Sequence, residues 1–128
     1  MHKIVFTERA PRPVGPYSQA VVVGNMLFCS GQIGLDPATG KLVPGNVAEE
    51  TNQCLRNLSK VLEAGGSALS KVIKTTVFVT DLAHFEEVNE AYTSFFPESP
   101  PARSAVQASA LPLGARVEIE AIAFLGGD

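Results

Sequence analysis

A chain of 128 residues, 45% hydrophobic and 18% charged, has the size and composition of one globular domain, residues 1–128, and is not a disordered segment. Its net charge of −3 and pI near 5.3, with ten basic residues scattered and never in a run, argue against a nucleic-acid partner, because phosphate binding rests on clustered Lys and Arg. No apolar run nears the ~18 residues of a membrane span, and residues 1–13 lack the apolar core of a signal peptide, so a cytoplasmic protein is expected.

Residues 3–6 are a short strand candidate. Residues 17–23 and 26–30 follow as strands, separated by Gly24-Asn25, a dipeptide able to supply positive φ. Residues 36–45 carry the turn signals Asp36-Pro37 and Thr39-Gly40 and are expected to form a loop. Val47, Thr51, Cys54, Leu55, Leu58, Val61 and Leu62 recur at helical spacing and predict a helix over Val47–Ala64. Asn46 with Glu49 suggests a capping box, and Gly65-Gly66 a stop. Residues 72–80 are rich in Val, Thr and Phe and predict a strand. A second helix runs from about Asp81 to about Phe96 with Leu82, Phe85, Val88, Tyr92, Phe95 and Phe96 on its apolar side, and Pro97, Pro100 and Pro101 bar its continuation. Residues 103–108 and 116–125 predict two last strands joined around Pro112-Leu113-Gly114.

This order predicts an α+β domain, a mixed sheet with both helices on one face. Val77, Val79, Ile119, Ala121 and Ala123 make one strand parity apolar, while Phe78, Ile122 and Phe124 do the same for the other. Two helices cover one face only, so another copy of the chain is the simplest cover for the second.

Few residues offer catalysis. His2 and His84 are the only histidines, and neither sits at metal-ligand spacing with Cys29 or Cys54, so no metal is expected. Both cysteines fall in apolar patterns and read as buried reduced thiols. No GxGxxG or P-loop occurs, and no cofactor is implied. What stands out is polar residues at apolar positions. Asn89 shares a helix face with Phe85, Tyr92 and Phe96, either as a core amide tied to backbone or as a pocket group. Arg103 opens a strand after Pro100-Pro101-Ala102, with Ala105 and Gln107 on its side. A tight connection to the last strand would bring it near Glu118, either as a structural ion pair or as a guanidinium fork open to a small carboxylate with Glu118 placing water. Ser30-Gly31 ends a strand at a flexible point, and Tyr17 follows the stiff bend Pro13-Val14-Gly15-Pro16.

Gly15-Pro16-Tyr17-Ser18-Gln19-Ala20, Ser30-Gly31-Gln32-Ile33, Lys74-Thr75-Thr76-Val77-Phe78-Val79, Val88-Asn89 with Tyr92, and Pro101-Ala102-Arg103-Ser104 before Val117-Glu118-Ile119-Glu120 together resemble the RidA (YjgF/YER057c) family. The resemblance spans residues 5–123. It implies a chorismate-mutase-like fold, a homotrimer with clefts between subunits, and a cofactor-free hydrolytic deaminase. Its substrates would be small imine and enamine acids (2-aminoacrylate, 2-iminopropanoate, 2-iminobutanoate), converted to 2-keto acids and ammonia, which protects pyridoxal-phosphate enzymes. Residue by residue, Arg103 matches the carboxylate-binding arginine, Glu118 the glutamate that activates water, and Tyr17, Ser30, Gly31 and Asn89 pocket residues. Ala105 departs from the pattern, standing where many members carry Cys, which removes any mechanism needing that thiol. Alternatives within the resemblance are an endoribonuclease or translation inhibitor, and a non-catalytic module that binds small acids. With Arg103 beside it, Glu118 is expected to stay ionised.

Overall fold

In the computed structural model, which describes residues 1–126, each predicted element has a counterpart. β1 (Lys3–Val5), β2 (Ala20–Val23) and β3 (Met26–Ile33) form an antiparallel meander, with Gly24 at φ 59° in the β2–β3 turn. The loop expected at 36–45 contains a small hairpin of β4 (Leu35–Asp36) and β5 (Lys41–Leu42). α1 occupies Val47–Ala64 as predicted, with the Asn46 side chain accepting from the Glu49 N–H and Gly66 at φ 88° beyond its end. β6 (Val72–Val79), α2 (Phe85–Thr93), β7 (Ala102–Gln107) and β8 (Val117–Phe124) complete the chain.

α2 is shorter than the apolar spacing suggested. Residues 82–84 form a separate 3₁₀ turn capped by Asp81, and the helix stops at Thr93. There the Thr93 hydroxyl donates to the Asn89 carbonyl and Ser94 Oγ to that of Ala91, both at 2.8 Å, so the carbonyls of the last turn are satisfied without another helical turn. Leu82, expected on the apolar face, is exposed.

The main sheet runs β1-β2-β3-β8-β6-β7. Only β6–β7, bridged by α2, is parallel, and this leaves β7 an edge strand. β7 does not pair with β8, because β6 lies between them. The expected antiparallel neighbourhood of Arg103 and Glu118 is therefore corrected. A returning strand reaches the sheet interior when a vacancy beside β6 and β3 offers two ladders instead of one.

Both helices pack on one face, where Leu55, Leu58, Val61 and Leu62 of α1 bury against Leu27, Val77, Ile119 and Ala123. Each such buried side chain stabilises the fold by about 1.5–3 kcal/mol. The opposite face stays open, with Phe28, Ile73 and Val106 each more than two-fifths exposed.

Two polar residues on the inner side of α1 escaped the apolar pattern. Asn57 donates to the carbonyls of Ile33 (3.1 Å) and Leu35 (2.8 Å) and pins the end of β3. Glu50, 3% exposed, accepts from the Arg116 backbone N–H (2.8 Å) and Nε (2.5 Å) and locks the entry to β8. Among the described residues the arginine–glutamate pair with a buried carboxylate is thus Glu50–Arg116. Glu50→Ala leaves those donors unmatched and is expected to cost about 2–3 kcal/mol, measured as a lower urea midpoint with an unchanged slope.

Candidate functional site

Strand alternation decides where the polar residues go. Cross-strand partners share a face, and Arg103, Thr75 and Ala121 form one row. Thr75 and Ala121 are buried beneath the helices, so Arg103 belongs to the helix face, at its edge. Glu118, Phe78 and Val106 form a row of the other parity, on the open face. The six predicted site residues therefore fall into two groups on opposite sides of one sheet.

The first group is Arg103 and Asn89. Arg103 Nη1 donates to Asn89 Oδ1 at 2.7 Å, which settles the alternatives for Asn89: it faces the arginine and not a core carbonyl. The guanidinium carbon lies 5.1 Å from the Phe85 ring centre and 5.0 Å from that of Tyr92, within cation–π range. Tyr92 is itself fixed, sharing a 2.7 Å hydrogen bond with the buried Thr75 hydroxyl and packing its ring 4.8 Å from Phe96. Burial raises the Tyr92 phenol pKa, opposed by the Thr75 bond and by Arg103. Among the described residues no carboxylate lies within ion-pair distance of Arg103. A depression of about 490 Å³ adjoins it, walled by Asn89, Phe96, Pro97, Pro100 and Pro101. The guanidinium is aimed by an amide and two rings, and its remaining donors are open to an anion.

The second group is Tyr17, Ser30, Gly31 and Glu118, which line one cavity of about 390 Å³. A β-bulge builds it. Cys29 pairs with Ala121 and Gln32 with Ile119, so Ser30 and Gly31 together oppose the single residue Glu120. Ser30 Oγ donates to the Ser18 carbonyl at 2.6 Å, tying the bulge to the loop that carries Tyr17. A Cβ at Gly31 would stand 2.8 Å from Glu118 Cδ and push the carboxyl from its place, so glycine here leaves room for Glu118. Tyr17 is half exposed at the mouth. Its loop hangs on Gln19, a buried side chain that accepts from the Thr7 N–H (2.7 Å) and donates to the carbonyls of Thr7 (3.0 Å) and Pro11 (2.9 Å). Gln19 lay inside the motif segment, but nothing in its spacing distinguished a loop anchor from a surface amide.

Burial raises the Glu118 pKa above the usual glutamate value, and the neighbouring Glu120 raises it further. Within one chain Arg103 does not hold this carboxyl ionised, which corrects the earlier expectation. Neither thiol takes part: Cys29 is pushed up to about 12 by burial, and burial raises that of Cys54 as well. Among the described residues no group of His, Cys, Asp and Glu could hold a metal ion, and no helix is long and apolar enough to cross a membrane.

The fold defines a class: small α+β proteins with a mixed sheet and two helices on one face, here with a guanidinium on the helix side and a carboxyl on the open side. The chain matches the Endoribonuclease L-PSP family over residues 7–125 and belongs to it. It is 52% identical over 126 residues to the mouse 2-iminobutanoate/2-iminopropanoate deaminase, covering 98% of this chain and 93% of that protein. The crystal structure of RidA from a Psychrobacter species superposes with a TM-score of 0.93 at 43% identity, covering 96% of this chain and 99% of the other. That of E. coli TdcF with bound serine gives 0.92 at 42% identity, covering 97% and 99%.

Glu120→Gln removes one of the two causes that raise Glu118. Glu118 is then expected to titrate at lower pH, followed through its side-chain carboxyl ¹³C shift. An unmoved titration would leave burial as the sole cause.

Proposed function

We propose that this protein hydrolyses small 2-imino and 2-enamino acids to 2-keto acids and ammonia in clefts between the copies of a cytoplasmic homotrimer. The observation that carries the reading is an arginine with no carboxylate partner among the described residues, cradled and aimed, on the opposite sheet face from a pocketed glutamate. The mouse deaminase at 52% identity supports the substrate class, and the serine held by TdcF supports a small amino-acid-like ligand. Two buried free thiols accord with a reducing compartment.

In the reaction, Arg103 of one copy holds the substrate carboxylate through the donors that Asn89 leaves free. Glu118 of a facing copy, with Tyr17 and Ser30, receives the C=N group. An enamine first takes a proton at its terminal carbon and becomes the protonated imine. Ionised Glu118 takes a proton from water as the oxygen attacks C2 of the protonated imine, giving a neutral carbinolamine. Glu118 returns that proton to nitrogen, the C–N bond breaks, and the hydroxyl proton passes to the departing ammonia as the ketone forms, so that ammonium leaves and Glu118 is ionised again. A pKa raised above the usual glutamate value by burial makes the carboxylate a better base and leaves its acid able to return the proton. Holding water, C2 and carboxylate in fixed register supplies most of what an already electrophilic imine needs. Ala105 does not obstruct this route, which needs no thiol.

The family description names an endoribonuclease. An RNA backbone would meet Glu98 beside Arg103, and Glu118 with Glu120 in the other half-site, on a chain of net charge −3. That electrostatic setting favours the small acid.

The test couples the protein to a serine dehydratase and times keto-acid release. Arg103→Ala is expected to lower the acceleration by about a hundredfold or more, with the folded state intact. Glu118→Ala is expected to lower kcat by about a hundredfold or more while changing KM little. Refolding the two inactive variants together is the sharper check. In a cyclic trimer each mixed assembly regains one intact cleft, so activity returns to about a quarter of wild type. No recovery would place both residues in one chain's site and overturn the shared cleft.

A further inference from the structure

The cavity around Glu118 is larger than a three-carbon acid fills. At about 390 Å³ it matches the lower range of pockets that enclose far bigger ligands. Its walls beyond Tyr17 and Ser30 include Val14, Pro112 and Leu113. Val14 is 76% exposed and Leu113 61%, two large apolar side chains presented to solvent beside a carboxyl whose own setting is partly desolvated.

Leu113 is also strained. It is the one non-glycine residue at positive φ among the described residues, at φ 58° and ψ 23°, a left-handed conformation that a Cβ disfavours. Its surroundings impose this. Leu111 and Ala115 on either side pack into the small cluster of Ile33 and Leu35, and the Ala115 N–H closes the turn onto the Pro112 carbonyl at 3.1 Å. With both flanks anchored, the chain between them must turn sharply, and the leucine is held out over the cavity. Strain of this kind persists where neighbouring structure over-determines it, and it gathers at ligand-holding positions.

We propose that Leu113, with Val14, forms the wall receiving the side chain of the imino acid, so that this chain prefers imines with branched or extended apolar side chains to 2-iminopropanoate. The inference rests on the deaminase reading above. There, the substrate carboxylate points to Arg103 of the facing copy and Glu118 addresses C2 from one side. The C2 side chain is left to run along the Glu118 cavity, whose free walls are Leu113, Val14 and Pro112. A branched aliphatic chain packs there against apolar surface that the isolated chain leaves open to water, whereas a methyl group reaches little of it.

The test compares kcat/KM for the imines of leucine and of alanine, each generated in situ by an amino-acid oxidase and followed by loss of the semicarbazide-trapped imine. Wild type is expected to favour the leucine-derived imine by about tenfold or more. Leu113→Asn keeps the left-handed turn, which Asn tolerates, and is expected to bring that ratio down about tenfold. Leu113→Gly adopts the same φ freely and is expected to lower the ratio similarly with no fall in thermal midpoint. This separates loss of the wall from loss of the fold. If 2-iminopropanoate is hydrolysed but the ratio is near one, or unchanged in both variants, the side-chain assignment fails and the deaminase reading stands. If neither imine is hydrolysed, both fail together.

Discussion

The twofold alternation of side chains along a strand is the constraint on which the site depends. β6 sits between β7 and β8 and fixes both registers at once. Thr75 hands its row to Arg103 on one side and Ala121 on the other, and Phe78 hands its row to Val106 and Glu118. A slip of one residue in either ladder would exchange the faces, driving Arg103 off its aromatic seat and Glu118 into the helix-covered core. In β8 the buried Ile119, Ala121 and Ala123 forbid that slip, since the same shift would carry them out to water, and in β7 the partly buried Ala105, packed against the core, opposes it. Hydrophobic burial in the core therefore holds a guanidinium and a carboxyl on opposite faces.

That separation matters to the site proposed above, which uses two groups of opposite charge. Inside one chain they would neutralise each other, and the arginine would offer little to a ligand. Here its charge is stabilised by means that leave donors free. Two rings hold the guanidinium by their faces, and one neutral amide takes a single N–H. The chain does contain a carboxylate that consumes an arginine, Glu50 with Arg116, where the bond fastens α1 to β8 and faces no cavity of the candidate site. The contrast is between an arginine spent on a structural pair and one whose remaining donors have no carboxylate among the described residues.

Much of this was legible in the sequence because it rests on local rules. The period of Val47–Ala64, its Asn46 cap and its Gly65-Gly66 stop all follow from neighbours within one or two helical turns. The unpartnered sheet face followed from counting apolar parities, and it survives as exposed Phe28, Ile73 and Val106. The errors lie where long-range pairing decides. Nothing near residue 117 signals that β8 inserts between β3 and β6, so the connection through Pro112-Leu113-Gly114 looked like a hairpin. The bulge at Ser30-Gly31 depends on a register held by β8, and the seat of Arg103 on Phe85 and Tyr92 depends on where α2 crosses β6 and β7. Glu50 and Asn57 were missed for a related reason. A polar residue on an apolar helix face reads as an interruption until its carbonyl and N–H partners are known.

The open face and the divided site answer each other in the proposed assembly. Phe28 and Val106 lose water only if another body covers them, and Arg103 meets a Glu118 only if another sheet is brought opposite it. One contact between copies accomplishes both, because β7 is an edge strand bearing Val106 on the open face and Arg103 on the other. Closure into a ring then repeats the contact until no open face remains. It also changes the electrostatics of catalysis. The raised Glu118 of the isolated chain gains a cation from the facing copy, while the substrate carboxylate between them screens part of that charge. In the proposed cleft the facing guanidinium favours the ionised Glu118 that must take a proton from water, and the substrate carboxylate, by screening that cation, keeps the carboxyl basic enough to do so with substrate bound.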